Sequence, residues 1–142
     1  MTQLNSKMNK PIGVAIAGLG FAEAVHIPAL KANPEFELVA LWHPRNSRLK
    51  EACEKYQVKG YTDWGSLLED NKIEAIIIAT PPKPRFQLAF EALGAGKHLL
   101  LEKPVAMNTK EIQELQKLSL QKKLSIAVDF EYRAVPLFMQ TK

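Results

Sequence analysis

Gly18-Leu19-Gly20-Phe21-Ala22-Glu23 decides the fold of this chain. It follows an apolar run, Ile12-Gly13-Val14-Ala15-Ile16-Ala17, which reads as a buried parallel strand, and it leads into a helix-compatible segment. Strand, glycine turn and helix in this order form a dinucleotide site. Gly18 permits the tight turn. Gly20 lets a pyrophosphate approach bare backbone beside Phe21 and Ala22, at the start of the helix. The third position of this fingerprint takes Gly or Ala and is Glu23 here. The exchange removes a close-packing residue and is expected to add a carboxylate near the phosphates.

Outward from this turn, apolar runs alternate with helical faces. Phe36 to Trp42 reads as a second strand, Val58 to Tyr61 as a short third, and Ile73 to Ala79 as a strand covered on both faces. His98 to Leu101 and Leu124 to Val128 complete the set. Asn46 or Ser47 is expected to cap a helix with Leu49, Ala52, Cys53 and Tyr56 on its apolar face, and Asp63 to cap a short helix through Trp64, Leu67 and Leu68. Phe86, Ala89, Phe90 and Leu93 mark a helix closed by Gly94 and Gly96. Asn108 with Glu111 forms a capping box for a helix through Ile112, Leu115 and Leu118. Pro28 lacks a backbone donor, so the first helix should kink or restart there. This alternation predicts an α/β fold, a doubly wound parallel sheet of Rossmann type with about six strands.

The composition fits a globular domain. The chain has 142 residues, 46% hydrophobic and 24% charged, with a net charge of +4. Its basic residues are scattered, Lys122-Lys123 being the only adjacent pair, so no nucleic-acid footprint is read. No apolar run approaches the roughly 20 residues of a membrane span, and residues 1–10 are polar without a signal region, so a cytoplasmic protein is expected. A lone cysteine, Cys53, allows no intrachain disulfide and reads as a packing residue.

In open α/β sheets ligands bind beyond the carboxyl ends of the strands, which selects the candidate residues. After the second strand an acidic residue, about 20 positions past the glycines, would hold the ribose hydroxyls of NAD. This chain has His43, followed by Arg45, Ser47 and Arg48. A guanidinium pairs with a 2′-phosphate in a bidentate way, which points to NADP, with NAD as the lesser fit; incidental charges on a solvated helix start are the alternative. Thr80-Pro81-Pro82 stands where a dinucleotide passes toward its nicotinamide end, and also suits a plain strand-to-helix turn. Lys103, between Glu102 and Pro104, is placed to give a proton to a carbonyl oxygen; by position alone it also reads as a surface lysine. His26 either faces the cofactor or packs in its helix, and His98 reads as structural. Three dispersed histidines with no evident carboxylate partner predict no metal site.

These pieces, in this order, resemble the Gfo/Idh/MocA family (the glucose–fructose oxidoreductase and inositol dehydrogenase group). The matching segments are Gly18-Leu19-Gly20-Phe21 with His26-Ile27-Pro28-Ala29-Leu30, then Ala79-Thr80-Pro81-Pro82. Ala95-Gly96-Lys97-His98 running into Glu102-Lys103-Pro104, and Tyr132-Arg133 with Pro136, complete the set. The resemblance implies an N-terminal NAD(P)-binding domain and a C-terminal α/β domain with a large open sheet. It implies that Lys103 contacts the reacting substrate oxygen as the catalytic residue, while Glu102 and Pro104 shape the turn. The implied substrates are small carbonyl compounds or polyols, mostly sugars and inositols, and the implied assembly is a homo-oligomer or a pairing with a separate C-terminal-domain chain.

Three departures from the pattern stand out. Glu23 fills the third glycine position. A histidine common three residues beyond Thr-Pro-Pro is Arg85 here. Residues 131–142 read as the start of a second domain that this chain lacks, after a cofactor domain at 11–130. The expectation is therefore an NAD(P)-dependent oxidoreductase represented by its cofactor domain. The alternatives are a non-catalytic nucleotide-binding module and a truncated fragment without function.

Overall fold

The computed structural model describes residues 10–131. Residues 1–9, most of the expected polar extension, and Tyr132, Arg133 and Pro136 lie outside them. Six parallel strands form one sheet: β1 (Ile12–Ala17), β2 (Phe36–Trp42), β3 (Lys59–Tyr61), β4 (Ala75–Ile78), β5 (His98–Glu102) and β6 (Ile126–Asp129). Their order is β3-β2-β1-β4-β5-β6. The chain starts in the middle, builds outward to one edge, then returns across β1 to build the other. The reversal between β1 and β4 is the switch point at which such sheets bind ligands.

The side-chain alternation of the strands feeds two cores. Val14, Ile16 and Ile77 enter one, with Leu41, Leu49 and Ala52. That face is covered by α1 (Gly20–Ala24), α2 (His26–Ala32) and α3 (Asn46–Tyr56). Ala15, Ala17, Ile76 and Ile78 enter the other, with Leu67, Leu88, Leu93 and Leu115. There the cover is α4 (Trp64–Leu68), α5 (Pro82–Gly94) and α6 (Thr109–Lys122). Burial of β1 and β4 on both faces explains why their sequences are unbroken apolar runs rather than alternating ones.

Local signals held where their partners were local. Asp63 Oδ2 accepts the Ser66 N–H at 2.7 Å and caps α4. Asn108 Oδ1 accepts the Glu111 N–H at 3.0 Å, and Glu111 Oε2 accepts the Met107 N–H at 2.9 Å. Cys53 is half-buried in the α3 packing, and burial pushes its thiol pKa up, as suits an inert packing residue.

Two local expectations shift. Neither Asn46 nor Ser47 caps α3: the helix begins at Asn46, and Arg45 occupies the cap position without a side-chain cap bond. The physical reason lies one turn earlier, where His43 Nδ1 accepts the Arg45 N–H at 3.1 Å and bends the chain directly after Pro44. The first helix does restart, but at Val25 rather than at Pro28. Pro28 is then the third residue of α2, in the first turn, where the missing N–H has no intrahelical partner to lose.

Candidate functional site

Four loops meet at the carboxyl ends of the strands: those after β1, β2, β4 and β5. A cavity of about 820 Å³ opens at the switch point, and Gly18, Gly20, His43, Arg45, Thr80 and Pro81 line it. Trp42 and Pro84 contribute apolar wall. Half of the residues singled out from sequence thus share one cavity, although they span more than sixty positions of chain.

The two glycines of the turn do different work. Gly18 has φ +95°, and a Cβ there would lie 2.8 Å from the carbonyl oxygen of Ala79. Glycine is therefore required by the fold. A Cβ at Gly20 would meet nothing within 4 Å. No neighbour among the described residues demands glycine at that point, and Gly20 lines the cavity. The N–H groups of Gly20, Phe21 and Ala22 precede the first helical bond, from Glu23 N–H to Leu19 O at 3.2 Å. They are the donors that such a turn offers to a pyrophosphate. Since α1 has only five residues before the break at Val25, this offer rests on local N–H groups more than on an aligned helix dipole.

Glu23 does not present its carboxylate to that space. Arg48 Nη2 lies 2.7 Å from Glu23 Oε2, Tyr56 OH donates to Oε1 at 3.3 Å, and Lys55 Nζ stands 3.5 Å from the same oxygen. The residue in the third glycine position ties α1 to α3. The same contact engages Arg48, which does not line the cavity. Arg45 does line it, and its guanidinium has no ion-pair partner among the described residues.

Two buried polar atoms of cavity-lining residues lack partners among the described residues: the Thr80 hydroxyl oxygen and the Trp42 indole nitrogen. Leaving such a group unpaired costs about 1–3 kcal/mol, and both residues line the cavity. Open backbone at Gly20, an orphaned hydroxyl at Thr80 and an unpaired guanidinium at Arg45 fit a phosphorylated dinucleotide.

Deeper along the carboxyl edge lie Glu102 and Lys103. Glu102 ends β5 and is buried, with Oε1 2.9 Å from His26 Nε2. Asp129 Oδ2, on β6 opposite Glu102, is 3.9 Å from the same nitrogen. His26 thus has two carboxylate neighbours, which corrects the reading that the histidines lack one; the strand pairing of β5 with β6 creates the contact. Burial, and next the charge of Glu102, push the Asp129 pKa up. Phe21 packs edge-on against the His26 ring at 5.6 Å between centroids, not against the cavity. Lys103 is half-exposed, and its Nζ lies 3.0 Å from Glu131 Oε1, which holds the Glu131 pKa down. Ala22, Pro82, Glu102 and Lys103 are not among the residues that line the cavity, and Ala22 and Glu102 are buried.

Sequence reasoning missed what Arg85 does. It is buried on the first turn of α5, and its guanidinium donates to the backbone carbonyls of Thr80, Glu102 and Pro104. The available signal was an arginine set between Pro84 and Phe86, on a face that otherwise reads as apolar. Burial lowers its pKa, with Glu102 acting in the opposite direction.

The sheet order and this cavity define a dinucleotide-binding domain of the Rossmann type. The chain belongs to the Gfo/Idh/MocA oxidoreductase family, whose NAD-binding Rossmann-fold model matches residues 12–130. It is 36% identical over 124 residues to an uncharacterised oxidoreductase of Synechocystis sp., covering 87% of this chain and 33% of that protein. It is 39% identical over 97 residues to galactose 1-dehydrogenase of Pseudomonas fluorescens, covering 67% of this chain and 30% of that one. A 3-ketoreductase from Actinomadura kijaniata, crystallised with NADP and TDP-benzene, superposes with a TM-score of 0.88 at 27% identity, over 92% of this chain and 41% of that chain. The chain therefore spans about a third of the length of these sequence relatives. Among the described residues, no helix is long and apolar enough to cross a membrane.

Proposed function

We propose that this chain is the NADP(H)-binding part of an oxidoreductase that acts on a carbonyl or hydroxyl carbon of a small, sugar-like molecule. The observation that carries the reading is the cavity at the switch point, with open backbone at Gly20, an unpaired Arg45 and an unpartnered Thr80 hydroxyl. The galactose dehydrogenase and the NADP-bound ketoreductase among its relatives support the substrate class and the cofactor.

In this reading the backbone of Gly18, Gly20, Phe21 and Ala22 holds the pyrophosphate. Arg45, beside His43, pairs with the 2′-phosphate, and Arg48 supports the site through Glu23. Thr80, Pro81 and Pro82 flank the nicotinamide end. When bound, the nicotinamide supplies or accepts hydride. Lys103 is the catalytic residue and holds the proton for the substrate oxygen on its ammonium, with Glu131 at 3.0 Å steadying the charge. Glu102 anchors the turn from which Lys103 projects. Residues 11–130 are the cofactor domain, 1–10 an extension, and 131–142 lead toward a substrate domain. That domain belongs to the same protein or to a separate chain, the assembly is a homo-oligomer or that pairing, and it works in the cytoplasm without nucleic acid or membrane.

Titration of the purified chain with NADPH and NADH, read by tryptophan fluorescence, tests this. Trp42 lines the cavity and stacks edge-on with Trp64 at 5.3 Å, so it is a suitable reporter. Saturable binding that is tighter for NADPH is the expected result. A folded sample that binds neither nucleotide overturns the reading.

A further inference from the structure

Arg85 is 3% exposed, and one guanidinium satisfies three main-chain carbonyls. These carbonyls stand where the ladder between β4 and β5, last paired at Ile78 and Leu101, has run out. Without this donor the carbonyls of Thr80 and Glu102 each lose a buried hydrogen bond, and that of Pro104 a part-buried one. Nη1 takes the carbonyls of Glu102 and Pro104, the residues on either side of Lys103. Nη2 takes the carbonyl of Thr80, whose own hydroxyl is the unpartnered oxygen on the cavity.

A buried cation is a costly way to fill space, and a packed apolar side chain is often the more stable choice. Here the fork of the guanidinium does what no apolar group can, because it bridges two separate loops by their backbones. A lysine offers a compact point charge and cannot reproduce that spread of donors.

We propose that Arg85 is a positioning residue. It fixes the turn carrying Lys103 against the Thr80-Pro81 wall, and through that wall it sets how the nicotinamide end of NADP(H) is held. The inference rests on the cofactor reading above. It separates the two ends of the site: Arg85 governs the nicotinamide end, while His43 and Arg45 on the loop after β2 hold the adenosine end.

The test compares two ligands on the full chain. NADPH uses both ends of the site, whereas 2′,5′-ADP carries the 2′-phosphate but no nicotinamide. Both are titrated against the wild-type chain, Arg85→Lys and Arg85→Gln, with thermal melts alongside. The variants are expected to bind 2′,5′-ADP within about twofold of wild type. NADPH is expected to weaken about tenfold, the scale of one or two lost hydrogen bonds. Equal weakening of both ligands makes Arg85 a general structural support and overturns the inference, as does unchanged NADPH affinity or failure of both variants to fold. A wild-type chain that does not bind NADPH overturns the cofactor reading itself, and this inference with it.

Discussion

His26 Nε2 lies 2.9 Å from Glu102 Oε1, a buried contact that joins α2 to the end of β5 across 76 positions of sequence. It fixes the carboxylate immediately before Lys103. Removing the imidazole leaves that carboxylate buried without its donor, so His26→Ala should destabilise the chain by about 1–3 kcal/mol. His26→Gln, which keeps an N–H donor, should recover part of the loss. Equal melting temperatures for wild type and His26→Ala would contradict the role.

Asp129 faces the same histidine, but burial and the neighbouring Glu102 and Glu131 carboxylates outweigh it and raise the Asp129 pKa above its ordinary 3.8. The folded state then holds that proton more tightly than the unfolded chain does. The associated stability is complete below pH 3.8 and is lost as the pH rises through the raised value. Asp129→Asn should therefore melt higher than wild type at neutral pH, with the gap closing as the solution is acidified below the ordinary aspartate range. A variant less stable at pH 7 would reverse the sign.

The glycine turn makes a paired prediction. Gly18→Ala places a side chain at φ +95° and against the Ala79 carbonyl, so it should lower stability by about 1–3 kcal/mol or more. Gly20→Ala meets only open space, so the melt should be nearly unchanged while NADPH affinity falls. Calorimetric melts and binding titrations on both variants separate the two effects.

The arginines after β2 should also separate. Arg45→Ala is expected to remove the preference for NADPH over NADH. Arg48→Ala breaks a contact to Glu23 whose arginine side is 47% exposed, so solvent screening limits the cost to at most about 1 kcal/mol. Its effect on nucleotide preference should be the smaller of the two. Parallel NADPH and NADH titrations decide this.

Asn108→Ala removes the side-chain cap of the 14-residue α6 and should cost about 0.5–2 kcal/mol. Asn108→Asp should retain most of the stability, because a carboxylate also accepts the Glu111 N–H. A chemical denaturation series reads both.

What was legible in the sequence was what short stretches of chain decide for themselves. The buried strands of Ile12–Ala17 and Ala75–Ile78 were visible as apolar runs because helices cover both faces of the sheet. The caps at Asp63 and Asn108 were visible because donor and acceptor lie three residues apart. The cofactor turn was visible because Gly18 must be glycine for a backbone reason that leaves a mark in one position.

Only the tertiary structure decided which side chains meet across the sheet. The bond from Arg48 to Glu23 spans 25 positions, and the clamp of Arg85 reaches 19 positions to Pro104. In each case the sequence shows an ordinary charged residue. Its partner is chosen by strand order: β1 beside β2 brings α1 to α3, and β4 beside β5 brings the carbonyls of Thr80 and Glu102 to one guanidinium. A glycine turn or a helix cap is set by the torsions and hydrogen bonds of adjacent residues. A buried ion pair or a guanidinium clamp exists only once the sheet has put distant segments within 4 Å of each other, and the physical constraint that selects it is burial.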